Sequence, residues 1–139
     1  MTDAEIIAVL QRNYGPAEVN AIANALRGRP EVETLELLER AAGMRGWPAP
    51  DLVNRLIWEV GLLRRLTGLM YDRCDATSAR FVLEFSAARL GRERAERELR
   101  DAVRRRPQLR PLVAYWLPGE WGVPAAEVDA FLAIGEEET

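Results

Sequence analysis

Apolar residues in this chain recur three and four positions apart, and the pattern breaks almost only at glycine and proline. Residues at those spacings share one face of an α-helix, whereas a half-buried strand needs strict alternation. No alternating run is long enough for a strand. The fold class expected is therefore all-α: a compact multi-helix bundle of about seven or eight helices around a long central helix. With 139 residues, 48% of them apolar and 29% charged, the chain suits one folded domain, here residues 1–134, followed by an acidic tail at 135–139 expected to fray.

The start and stop signals place the helices. Thr2-Asp3-Ala4-Glu5 has capping-box spacing, and Ile6, Ile7, Val9 and Leu10 follow as a buried face. Gly15 ends that helix, and Pro16 opens a second one reaching about Arg27, with Gly28 as its stop. A third spans about Glu31 to Ala42, with Val32, Leu35 and Leu38 on its apolar side. The longest, Asp51 to Arg73, is apolar around more than one stripe and is expected to run unbroken through the centre, with Trp47 and Trp58 in or near the core.

Asp75 or Thr77 caps the next helix, about Ala76 to Arg89, with Phe81, Val82 and Phe85 as core. Arg92 to Arg105 forms another after Gly91. Beyond Pro107 the spacing gives one short helix and then a loop rich in Pro and Gly, before a last helix at Ala125 to Ile134. Shared order between 1–61 and 76–134, such as Gly15 with Gly91 and Gly46-Trp47-Pro48-Ala49 with Gly122-Val123-Pro124-Ala125, is compatible with two similar helical lobes.

The reactive inventory is narrow. All 19 basic residues are arginine, and histidine is absent, so no imidazole base, histidine metal ligand, Schiff-base lysine or phosphate-loop lysine exists. The lone Cys74 has no disulfide partner and no histidine to activate it, and reads as a small buried residue. The acids are no better placed: Glu33, Glu36 and Glu39 lack the histidine that a helical di-iron site requires, and capping accounts for Asp75 beside Asp72 more simply than a magnesium site does. No enzyme activity, cofactor or metal is expected.

Cysteine usage fits a reducing compartment. The segment MTDAEIIAVLQRN carries acids where a secretory signal carries bases, and the apolar run from Leu52 to Tyr71 is interrupted by Arg55, Glu59, Arg64 and Arg65. The expectation is a cytoplasmic protein with no membrane partner.

The net charge of −3 is unevenly spread. Residues 89–110 hold nine arginines against four acids, and residues 111–139 hold no arginine and six acids. Arg97, Arg100 and Arg104 share one helix face, and Arg105, Arg106 and Arg110 gather at and past its end, close in sequence to Trp116 and Trp121. Arginine and tryptophan are favoured at binding hot spots, because guanidinium forks onto carboxylates and stacks on rings. These eight residues are the candidate partner-binding set. The competing reading is a solvated helix face paired internally through Glu93–Arg97, Glu96–Arg100 and Asp101–Arg105.

The function expected is a non-enzymatic helical binding, adaptor or assembly subunit that presents helical faces to a protein partner or to a second copy. The alternative is a small subunit contacting a nucleic-acid backbone through the arginine face within a larger complex. Overall acidity weighs toward protein, since duplex-binding domains are usually basic.

Overall fold

The structure, a computed structural model, describes residues 1–12, 14–41 and 50–135. Among these are nine α-helices: α1 (Asp3–Leu10), α2 (Pro16–Leu26), α3 (Glu31–Arg40), α4 (Pro50–Leu56), α5 (Val60–Arg73), α6 (Ala79–Leu90), α7 (Arg92–Arg105), α8 (Leu109–Trp121) and α9 (Val128–Ala133). A single 3-10 turn, Ala125–Glu127, precedes α9, and no strand occurs among the described residues. The helices group into two compact units, Met1–Leu63 and Arg64–Thr139. The segment at Gly46 to Ala49, which includes Trp47, and the tail beyond Gly135 lie outside the described residues.

In the first unit α1 packs on α3 and α2 on α4. The capping box at Thr2 forms: the Glu5 amide donates to Thr2 Oγ1 at 3.1 Å, and the Thr2 amide reaches Glu5 Oε1 at 3.5 Å. At α2 the Gly15 amide donates to Glu18 Oε2 at 2.9 Å. That carboxylate is held below its ordinary range by the amide of Glu18 itself and then by that of Gly15. Ile6, Ile22, Leu26, Leu35, Leu38 and Leu52 fill the interior. Val32, expected on the apolar side of α3, is exposed, and Leu37 is buried in its stead.

The long helix expected from Asp51 to Arg73 is instead two helices, α4 and α5, separated at Ile57–Glu59. No glycine or proline marks the break. The Trp58 and Glu59 amides donate to the two oxygens of Glu31, at 2.6 and 3.3 Å, so a carboxylate from another helix satisfies the orphan donors that a new helix start exposes. Ile57 turns fully inward while Trp58 turns outward, 66% exposed, against the expectation of a core position.

In the second unit α6 packs on both α7 and α8, and α9 packs on α7 and α8. Asp75 Oδ1 accepts from the Ser78 and Thr77 amides at 2.8 and 3.0 Å, closing a turn that holds the Asp75 carboxyl below its ordinary range; α6 itself starts at Ala79, later than expected, with Ser78 rather than Asp75 or Thr77 at its N-cap. The inward face of α6 is Ala79, Val82, Leu83, Ser86 and Leu90. Phe81, one step of about 100° round the helix from Val82, falls off that face and is 57% exposed, a correction to its expected core role.

The segment after Pro107 also differs from expectation. α8 continues through Pro118 and Gly119 to Trp121, because this extension brings Trp121 onto the stripe begun by Val113 and Leu117. The helix ends at Gly122, whose φ of +69° is the left-handed conformation glycine supplies most cheaply.

Candidate partner-binding surface

The eight candidate residues do not share one surface; they divide among four places. The first is the seat of α9. Arg100 Nε donates to the Phe131 carbonyl at 3.0 Å, and its guanidinium lies 4.6 Å from the centre of the Phe131 ring. Arg104 Nη2 donates to the Ile134 carbonyl at 2.8 Å and Nη1 to Asp101 at 3.1 Å. These carbonyls belong to the last turn of α9 and the residue beyond it, where a helix leaves acceptors unpaired and its dipole is negative. Arg110 lies 3.7 Å from Asp129 on α9. Trp121 is buried, donates from Nε1 to the Leu83 carbonyl at 3.0 Å, meets Phe131 edge-on at 6.3 Å and is covered by Arg92 at 4.9 Å.

The second place is the end of α5. Arg106 Nη1 donates to the carbonyls of Tyr71 and Cys74 at 2.8 and 2.9 Å, capping that helix, and Arg105 pairs with Asp72 at 3.2 Å. The third is solvent: Arg97, 63% exposed, pairs along its own helix with Glu93. Of the three helix-internal pairs expected, this one forms. Arg100 and Arg105 are drawn off Glu96 and Asp101 by acceptors on other helices, and Arg92 and Arg104 take their places.

The fourth place is a surface of α6 and α8. Trp116 Nε1 donates to the Ala76 carbonyl at 2.7 Å, and Tyr115 stands edge-on to Trp116 with ring centres 4.8 Å apart. Arg80 covers Trp116 at 5.7 Å while pairing with Glu120 at 2.7 Å. Tyr115 is 76% exposed. Tyr115, Arg80 and Glu120 were not among the sequence candidates. Tyr115 beside Trp116 was the one visible signal, since the meeting of Arg80 with Glu120 depends on α6 crossing α8.

The single thiol and the Tyr71 phenol are withdrawn from solvent. Cys74 is buried, which pushes its thiol upward, and the nearby Arg106 guanidinium offsets only part of that. Cys74 should therefore alkylate slowly at pH 8 in the folded chain and readily in urea, as measured by mass spectrometry. Because the folded thiol titrates above the unfolded one, its contribution to stability is fully present below the ordinary thiol range and declines as pH rises through it. Tyr71 is fully buried and its phenol is raised by the same desolvation. Glu98, with its side chain 10% exposed, meets Arg64 at 2.6 Å, and that guanidinium is held more firmly protonated first by the hydrogen bond and then by the charge of Glu98.

Among the described residues no helix is long and apolar enough to cross a membrane. No protein-family model, no curated protein and no solved structure matches the chain.

Proposed function

We propose that this protein is a non-enzymatic helical binding or assembly subunit, and that it engages a protein partner through the aromatic surface of α6 and α8. The observation that carries this reading is Tyr115, held edge-on to Trp116 under Arg80 and left 76% exposed. A tyrosine–tryptophan pair beside an arginine offers large contact area and is the composition of interface hot spots. The arginine distribution favours protein over nucleic acid. Arg100, Arg104 and Arg106 direct donors to backbone carbonyls and Arg97 is paired with an acid, so these arginines do not present one shared face to phosphates, and the net charge of −3 weighs the same way.

Tyr115→Ala tests the reading, because an exposed side chain can be removed at a stability cost within about 0.5 kcal/mol. A host protein captured by the native chain, or a self-associated state seen by light scattering, should be lost in Tyr115→Ala and kept in Arg97→Ala. Capture unaffected by Tyr115→Ala, or a strictly monomeric chain that captures nothing, would overturn it. DNA or RNA binding at low salt that collapses as salt is raised would favour the nucleic-acid alternative instead.

A further inference from the structure

The basic band and the acidic stretch that follows it in sequence meet in the second unit. α9 is six residues long, below the length at which a helix holds in water by itself, so its conformation depends on the seat provided by α7 and α8. Its own buried side chains are Val128 and Leu132. The other attachments are the guanidinium contacts of Arg100 and Arg104 to its terminal carbonyls, the Arg100–Phe131 stack and the loose Arg110–Asp129 pair. Val123 is buried and anchors the chain just before Pro124, so the segment that can lift away begins at Pro124.

From this we infer that α9 is a displaceable strap, and that its seat is a second binding site, for a short acidic helix supplied in trans. The occupant is defined by what α9 itself presents: two apolar residues four apart, an aromatic ring for Arg100, acidic side chains and a helix C-terminus whose carbonyls accept from arginine. The arrangement of the seat carries the argument. Side chains on one face of α7, extended by Arg110 of α8, grip the end of a helix by its dipole and its backbone, and those features are common to any helix of this pattern. Apolar burial adds Trp121, which α9 contacts through Phe131. The inference is independent of the aromatic surface of α6 and α8 and requires no host partner.

Cis occupancy lowers apparent affinity in trans by the fraction of time the seat is open. A labelled peptide of residues 124–135 should therefore bind the native chain weakly. It should bind a full-length chain carrying Val128→Ala and Leu132→Ala at least about tenfold more tightly, because its own strap is loosened. Adding Arg100→Ala and Arg104→Ala to that variant should remove the gain. Phe131→Ala serves as a second loosened variant should the first lose helix content by circular dichroism. Hydrogen exchange on the native chain should show α9 amides opening well ahead of those in α6, α7 and α8. Equal protection of α9 and α6–α8, or a loosened variant with open α9 amides that fails to take the peptide, would overturn the inference.

Discussion

Replacing Trp121 with alanine should destabilise the second unit by about 3–5 kcal/mol, the range for removing a large buried ring from a packed interior. Three losses combine. The indole fills the stripe of Val113 and Leu117 on α8, its Nε1 donates to the Leu83 carbonyl at 3.0 Å, and its ring supports Phe131 on one side and Arg92 on another. Trp121→Phe separates the terms: it keeps most of the apolar contact and the surface under Arg92 but removes the donor. Its cost should be about 1–2 kcal/mol, near that of one buried hydrogen bond with a small packing defect. Urea unfolding followed by circular dichroism reads both values. Equal costs for the two variants would mean that the hydrogen bond, not the ring, dominates.

Arg106→Ala should cost about 2–4 kcal/mol, because one guanidinium nitrogen donates to two carbonyls at the end of α5 and charge-assisted bonds of this kind contribute more than neutral ones. Both acceptors, Tyr71 and Cys74, sit beside a buried phenol and a buried thiol, so water replaces the lost donor poorly. Arg106→Lys keeps the charge with a shorter reach and should fall between the native chain and Arg106→Ala. Arg97→Ala, from the same basic band, should change stability by no more than about 0.5 kcal/mol, since its pairing with Glu93 is exposed on both sides. The contrast within one run of arginines tests the division of labour that the structure gives them. It also predicts that Arg106→Ala raises the alkylation rate of Cys74 by loosening the end of α5.

Much of the local structure was legible. α7 runs from Arg92 to Arg105 as its sequence pattern predicts, because Gly91 on one side and Pro107 on the other are strong signals and the apolar stripe between them is clean. The capping box at Thr2 was legible for the same reason, being a short-range arrangement of a side chain and an amide three residues away, whereas Asp75 closes the turn before α6 and the N-cap falls at Ser78. The break at Ile57–Glu59 was not, since its cause is Glu31, a carboxylate 27 residues earlier in the chain. The continuation of α8 through Pro118 also escaped, because the gain from burying Trp121 against α6 and α9 outweighs the local cost of a proline in a helix.

The candidate site divides along the same line. Local spacing identified the arginines and the pairing of Arg97 with Glu93, which needs only one turn of helix. It could not assign Arg100, Arg104 and Arg106, whose acceptors are carbonyl oxygens at the ends of α9 and α5, 30 to 35 residues away. A backbone carbonyl has no identity in a sequence, and it becomes an available acceptor only where a helix stops. What the sequence determined by itself was the helical class, most helix boundaries and the stock of charges without histidine or lysine, all fixed by periodicity and near neighbours. The tertiary structure decided which of those arginines close the ends of other helices and which face solvent, because that choice depends on where helix termini come to rest against one another.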